Sequence, residues 1–394
     1  IGDLEELHAQ EISQRKKDGI YYTPDYITTY ICKNTIIPYL SKNGSTEPRQ
    51  LVTEYIDDIT QLENKLEQIK ILDPACGSGA FLVKAVDILL SIYNEIQNFK
   101  QEQGAYTIPK KGKKSGSAQQ MTFDKNTEME TAREIIQNNI YGVDINSESI
   151  EITQLSLFLK IASSNKRLIE LSERIKSGNS LIDDKSVDAR GFDWEIEFAE
   201  ILSNNISNRG FDVIITNPPY VVLNPEVLSD YNLVKGNYNT YVAFMEKAIQ
   251  LAKHNGKISL IIPTTWLSGN NFEELRKELL FNNSIISIIQ LPYDIFKAYI
   301  DTVIVGIDKQ KVSPNLVKTF KYNIRDKAYG KSIDDYVLID SSKWEKNPNH
   351  NIMIDTILDS IYQKYRSQKS MKLDTISKVN RGTLPPKKDN IYTS

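Results

Sequence analysis

The sequence predicts an α/β protein built on a doubly wound, mostly parallel sheet with helices on both faces. Three observations carry that prediction. Short apolar runs of strand length alternate with segments of helical periodicity from about residue 69 to residue 310. The first run feeds a glycine-rich turn that opens into a helix, and the second ends on a carboxylate before the next helix. A third ends in a polar turn stiffened by two prolines. An N-terminal helical segment and the start of a C-terminal domain flank this core.

Residues 1–20 are charged and read as helical, breaking at Asp18-Gly19. Thr23-Pro24 opens the next helix, with Thr as its cap, Pro in its first turn, and Tyr26, Ile27, Tyr30 and Ile31 on an apolar face. Residues 42–68 read as one further short helix. In "IKILDPACGSGAFLVKAVDILLSIYNEI" a strand over Ile69–Asp73, a glycine turn and a helix from about Ala80 follow one another. Residues 100–129, rich in Gly, Lys, Ser and Gln, read as a mobile insertion. "NNIYGVDINSESIEITQLSLFLKIA" repeats the strand, acidic tip and helix. "FDVIITNPPYV" is a strand with a stiff end. "YVAFMEKAIQLAKHNGKISLIIPTTWL" is helix, turn and strand, and "SIISIIQLPYDIF" and "DTVIVGID" are the last strand candidates. Past residue 310 the alternation fades. The division read from this is 1–68 as an N-terminal helical region, 69–310 as the core domain, and 311–394 as a connector with the start of a further domain.

The bulk numbers set limits. The chain has 394 residues, 40% hydrophobic and 25% charged, enough for a large α/β domain plus an appendage. No apolar run approaches the ~20 residues that span a bilayer. Two cysteines without a CxxC pair and three scattered histidines predict no metal site and no disulfide framework, which fits a reduced, cytoplasmic setting. The first residue is Ile1, which suggests a piece of a longer protein. A net charge of -3 argues mildly against nucleic acid, so charge placement matters more than the sum. Six Lys between Lys100 and Lys125 face Glu102 and Asp124. From residue 361 onward Lys364, Arg366, Lys369, Lys372, Lys378, Arg381, Lys387 and Lys388 face only Asp374 and Asp389. Either stretch can be a plain solvated loop or a nucleic-acid contact.

The glycine turn "DPACGSG" brings backbone close to a ligand beside a helix N-terminus. It departs from the GxGxxG of dinucleotide sites. Asp73 directly before it suits a ligand bearing an amino group or a sulfonium charge better than a pyrophosphate. Asp144, at the tip of the next strand, can accept both hydroxyls of a ribose; the bland alternative is that it caps the helix near Ser147. The long gap between glycines and acid is attributed to the insertion.

The most informative tetrapeptide is Asn217-Pro218-Pro219-Tyr220. Its prolines fix the backbone and remove two donors. The Asn217 side-chain oxygen and the Pro218 carbonyl then form two acceptors converging on one point, and Tyr220 adds a flat face. That set suits a planar group carrying NH2. Holding both N–H bonds frees the nitrogen lone pair from the ring, so no general base of ordinary pKa is needed before attack. A rigid Pro-Pro loop without chemistry is the competing reading.

These residues resemble the N6-adenine DNA methyltransferases of the gamma arrangement, the type often fused to nucleases in type IIG restriction–modification enzymes. The resemblance runs in order over about residues 18–310 and implies a Rossmann-like methyltransferase fold, S-adenosylmethionine as cofactor and double-stranded DNA as partner. It implies that Tyr22, Thr23 and Pro24 in "GIYYTP" line the methionine end of the donor. "DPACGSGAF" becomes the main cofactor loop, with Asp73, Ala75, Cys76, Gly77 and Gly79. Asp144 binds the ribose, with Ile145 beside the adenine ring, and Asn179 in "GNS" reads the cofactor adenine. Asn217, Pro218, Pro219 and Tyr220 are catalytic, with Asn217 also facing the donor. Phe296 in "IFKAYIDTVIV" stacks on a flipped target base. "ISKVNRGTLPP" resembles the beginning of a target-recognition domain, and nuclease and recognition domains are expected on the full-length chain. Three alternatives share part of this chemistry: methylation of a protein glutamine amide, methylation of an RNA guanine amine, and a non-catalytic scaffold that senses the cofactor.

Overall fold

The structure, a computed structural model, describes residues 23–105, 125–161, 170–203, 209–236, 238–292, 295, 300–321 and 335–366. They form two compact units, residues 1–352 and 353–394. In the second unit the described element is helix α8 (Thr356–Arg366).

The first unit is built on one nine-stranded sheet. In chain order its main elements are α1 (Asp25–Leu40), α2 (Pro48–Thr53), α3 (Ile59–Gln68), β1 (Ile71–Asp73), α4 (Ala80–Ala105), α5 (Lys125–Asn139), β2 (Ile140–Asp144), α6 (Ser147–Lys160), β3 (Ile175–Ser177) and β4 (Phe211–Thr216). They continue with α7 (Thr240–Leu251), β5 (Ala252–Pro263), β6 (Ser284–Gln290), β7 (Thr302–Asp308), β8 (Leu316–Lys321) and β9 (Val337–Asp340). The strand order is β3-β2-β1-β4-β5-β7-β6-β8-β9. The first five strands run parallel, and β7 inserts antiparallel between β5 and β6. The predicted doubly wound, mostly parallel sheet is what forms.

Strand alternation sends successive side chains to opposite faces. Ile71, Ile140, Val213, Ile215, Ile261, Ile289 and Ile304 enter one continuous apolar core with Ile27, Ile31, Ile36 and Leu40 of α1 and Leu82, Val86 and Leu89 of α4. Tyr141 and Phe211 meet instead in an aromatic group closed by Phe198, with ring centroids 5.3–5.9 Å apart and edge-on geometry. Helix α7 packs on β5.

Four expectations shift. The α1 cap is Pro24, not Thr23: the Pro24 carbonyl accepts from the Ile27 and Thr28 N–H groups, and the Thr23 hydroxyl meets Asn217 instead. The stretch 42–68 holds two helices, since Pro48 starts the first and Asp58 caps the second by accepting from the Gln61 N–H. Both ends of the predicted insertion at 100–129 are helical, in α4 and α5, and residues 106–124 lie outside the described residues. The sheet also continues past residue 310: β8 pairs parallel with β6, and β9 pairs antiparallel with β8. Among the described residues no helix is long and apolar enough to cross a membrane, and no group of His, Cys, Asp and Glu could hold a metal ion.

Candidate active site at the carboxyl edge of the sheet

Because β1 to β5 are parallel, their carboxyl ends share one edge, where open α/β sheets bind ligands. Asp73, Asp144, Ser177 and Thr216 end four of these strands. The glycine turn, the 145–146 link, the "GNS" segment and the Asn217–Tyr220 turn therefore open side by side. The antiparallel course of β7 brings Thr302 to the same edge, next to Gln290 and Leu291 at the end of β6.

The glycine turn is held from several sides. The Ser180 hydroxyl donates to the Pro74 carbonyl (2.6 Å), and the Cys76 N–H donates to the Val143 carbonyl (3.0 Å). The Gly77 N–H donates to Asp144 Oδ2 (2.8 Å), and the Thr153 hydroxyl donates to the Gly77 carbonyl (2.7 Å). Gly77 and Gly79 have φ of +52° and +83°, where a side chain is strained. They differ in surroundings. A Cβ on Gly77 would meet nothing within 4 Å, whereas one on Gly79 would come within 2.8 Å of the Thr153 side chain. Gly77 thus faces open space, and Gly79 permits close approach of α6. The thiol of Cys76 is buried, and burial raises its pKa well above the ordinary value, so the residue contributes packing, not a nucleophile.

Two carboxylates end the strands beside this turn. Asp73 is fully buried, and its Oδ1 accepts from the Ala75 N–H (3.0 Å). Its Oδ2 lacks a hydrogen-bond partner, as does the neighbouring buried Thr216 hydroxyl. Burial pushes the Asp73 carboxyl up to about 7, against the lowering influence of Thr216 and the Ala75 N–H. Asp144 is also raised by burial, opposed by the N–H groups of Asn146 and Gly77. Its Oδ1 accepts from the Asn146 N–H at 2.9 Å. It does not cap α6. Asn146 does, accepting from Glu148 and Ser149 at 2.8 and 3.2 Å. Ile145, beside it, is 43% exposed, an apolar side chain standing at the rim.

Asn179 sits in a turn. Its side-chain oxygen accepts from the Leu181 N–H (3.1 Å), and its amide nitrogen donates to Asp188 (2.8 Å). The Arg190 N–H and this Asn179 amide hold the Asp188 carboxyl down to about 2.

At the end of β4 the Asn217 amide nitrogen donates to the buried Thr23 hydroxyl (3.0 Å). Its Oδ1 lies 2.6 Å from the Tyr220 hydroxyl, which also reaches the Ile261 carbonyl at 2.9 Å. The Thr240 hydroxyl donates to the Pro219 carbonyl and accepts from the Val221 N–H, tying the turn to α7. Tyr241 backs Tyr220 edge-on at 6.4 Å. Pro218 is buried, and among the described residues no donor meets its carbonyl. Tyr22 and Phe296 lie outside the described residues, as does most of the basic tail. Thr153, Ser180 and Thr240 are supports that sequence reasoning missed. Ser180 stands in the quoted "GNS", but nothing in a single sequence separates the other hydroxyls from ordinary helix and strand residues.

Residues 138–296, which hold Asp144, Asn179 and the Asn217–Tyr220 turn, match the model of the Eco57I restriction-modification methylase family. The chain resembles the restriction–modification methylases. Residues 59–163, with the glycine turn, match the RMKL-like methyltransferase domain. The chain is 25% identical to a putative type II restriction enzyme and methyltransferase, RM.MjaORFECS2P of Methanocaldococcus jannaschii, over 94% of its own length and 43% of that protein. It is 27% identical to the type II restriction enzyme and methyltransferase RM.Eco57I of Escherichia coli, over 75% of itself and 28% of the relative. It therefore spans less than half the length of either methylase. A cryo-EM structure of a DrdV–DNA complex shares the fold, with a TM-score of 0.54 and 15% identity over 87% of this chain and 32% of that one.

Methylases of this kind draw the methyl group from S-adenosylmethionine, and two groups at this strand edge suit such a donor. The buried Asp73 carboxyl holds the glycine turn from within, its Oδ1 accepting from the Ala75 N–H. The space over Gly77 is clear, and Asp144 keeps lone pairs for ribose hydroxyls beside the exposed Ile145.

Proposed function

We propose that this chain is the methyl-transferring part of a DNA methyltransferase that acts on the exocyclic N6 of an adenine turned out of the duplex. The observation that carries the reading is the pairing, at one sheet edge, of the Asn217–Tyr220 turn with the clear space at Gly77 in the glycine turn. S-adenosylmethionine, when bound, supplies an electrophilic methyl group on a sulfonium centre. The chain's residues do the rest. Asp144, Asp73 and the glycine turn bind and orient the donor. Asn217 Oδ1 and the Pro218 carbonyl accept the two N–H groups of the target amine and turn its lone pair out of the ring.

Two oxygen acceptors favour an amine over a carbonyl. Thymine O4 or guanine O6 would set acceptor against acceptor, which costs about 1–3 kcal/mol for each buried unsatisfied group. Extruding the base costs a few kcal/mol, and stacking at ~1–3 kcal/mol per aromatic offsets it. Tyr220 and Phe296 are the proposed stacking pair. Catalysis then rests on positioning and local electrostatics, not on an ordinary general base.

The test offers duplex DNA, a protein with an exposed glutamine amide, and ribosomal RNA as methyl acceptors to the complete protein, followed by base and residue analysis. Methylation of adenine in DNA is expected. Methyl-glutamine or methyl-guanine as the main product would replace this reading. In the same assay Asn217→Ala is expected to lower transfer at least about 100-fold, while donor affinity changes little. Transfer near the wild-type rate would remove Asn217 from the mechanism.

A further inference from the structure

Thr23 and Asn217 are 194 residues apart in sequence and 3.0 Å apart in the fold. Thr23 is 5% exposed at the N-terminal approach to α1, and its hydroxyl does not cap that helix. Instead it accepts one N–H of the Asn217 amide. We infer that Thr23 is a positioning residue: it holds the nitrogen end of the Asn217 amide, so that the oxygen end faces the place of the target amine. The inference rests on the function proposed above and assigns a residue's part within it.

An amide is a flat group with an acceptor at one end and donors at the other, and the two ends have nearly equal size. Its usefulness here depends on which end points outward. With Nδ2 bound to Thr23, Oδ1 is the end beside Tyr220. One lone pair meets the phenol, and the second remains for a substrate N–H. Turned over, the amide would present N–H groups to an NH2 substrate, donor against donor. Rotating free, it would spend part of its time in unproductive planes, and small misplacements of a reacting group carry large rate penalties. The strand end and the two prolines fix the Asn217 backbone, but they leave its side-chain torsions to be set by partners. Tyr220 meets the oxygen end, and Thr23 holds the nitrogen end from the segment before the first strand. Through it the anchoring of α1 against β4 and β5 bears on the catalytic turn.

The contact also separates two roles for Thr23. A residue that lines the donor changes donor affinity when its hydroxyl is removed. A residue that acts through Asn217 changes transfer with donor affinity preserved, and its loss matters only while Asn217 is present.

The experiment uses the complete protein with duplex DNA and S-adenosylmethionine. Thr23→Val keeps the shape and removes the hydroxyl, and Thr23→Ser keeps the hydroxyl. Thr23→Ala removes it with no added bulk in the buried position, should Val disturb folding. Transfer is measured in a single turnover at saturating donor, and donor affinity by calorimetry. Capture of the target base is followed by the fluorescence of 2-aminopurine at the target position. The expected result for Thr23→Val is transfer slower by about tenfold or more and weaker 2-aminopurine capture, with donor affinity within about twofold. Thr23→Ser should return transfer to within about threefold of wild type. In the Asn217→Ala background, Thr23→Val should have no further effect on base capture. Wild-type transfer in both Thr23→Val and Thr23→Ala would overturn the inference. So would donor affinity falling in step with transfer, or equal effects of Thr23→Val with and without Asn217. If the wild-type protein itself methylates no adenine, the functional reading fails instead, which is a separate result.

Discussion

A buried carboxylate with one oxygen unpartnered is costly, and Asp73 is the clearest case in the site. Its pKa rises from the ordinary 3.8 to about 7 because burial disfavours the charge. A raised folded-state pKa means that the folded chain binds the proton more tightly than the unfolded chain. The stabilising contribution is complete below about 3.8, falls as pH rises between the two values, and is gone above about 7. A cationic ligand beside the group reverses the preference, since it favours the carboxylate. Two outcomes are expected. Relative to wild type, Asp73→Asn without ligand should gain melting temperature as pH goes from 5 to 8, about where the carboxyl ionises. Wild-type donor affinity should strengthen over the same range, and Asp73→Asn should flatten that dependence. Parallel melting curves for both proteins across the range would show that Asp73 ionises normally. Asp144→Ala should weaken donor binding about tenfold or more while leaving a folded chain, and unchanged calorimetric affinity would remove its ribose assignment. The positions of both acids were legible because each closes an apolar strand before a helix. The hydroxyls around them were not, since Thr216 and Thr153 meet the site only once β4 pairs with β1 and α6 packs on β2 and β3.

At the scale of elements, the link from β1 to α4 shows how one motif contains two different glycines. Both have positive φ, so each carries a backbone penalty of about 1–2 kcal/mol on replacement by alanine. Only Gly79 adds a steric conflict, with Thr153 of α6 at 2.8 Å. Gly77→Ala is therefore expected to keep most of the fold and lose donor affinity, because its methyl group enters the clear space at the turn. Gly79→Ala should lose more stability, as α6 must move from the loop and the Thr153–Gly77 bond weakens. Thermal melts and calorimetry on the two variants test this, and the reverse ranking in stability would contradict the geometry. The spacing of these glycines was plain in "DPACGSG", and α4 starts at Ala80 as expected. Their division of labour was not, because it depends on a residue 74 positions further along. The same holds at α1. Thr23-Pro24 reads as cap and first turn, yet Pro24 takes the cap position and Thr23 turns to Asn217.

At the scale of the molecule, the sheet is longer than local pattern indicates. The inner strands are mostly buried, and β4 and β7 are buried along their whole length. Strand β8, Leu316–Lys321, mixes buried Val317, Thr319 and Phe320 with exposed Leu316 and Lys321 and the partly exposed Lys318. Strand β9 buries only Ile339. Outer strands near an edge tolerate such mixtures, so their sequences resemble a connector. Their burial is nonetheless substantial: Val317 and Trp344 have no exposure, Ile339 has 5% and Phe320 has 7%. Each large apolar side chain buried contributes about 1.5–3 kcal/mol, so removing this group uncovers the flank of β6 and takes several kcal/mol from the fold. A chain ending at residue 310 is therefore expected to melt at least about 10 °C lower or to aggregate through the freed edge of β6. A chain ending at residue 352, where the first compact unit closes, should keep both its cooperative transition and its donor affinity. Differential scanning calorimetry of the two truncations, with donor titration of the longer, decides the matter. Equal melting temperatures for both would mean that β8 and β9 are ornamental to the sheet. Loss of folding in the 352-residue chain would mean that residues 353–394 contribute stability to the first unit.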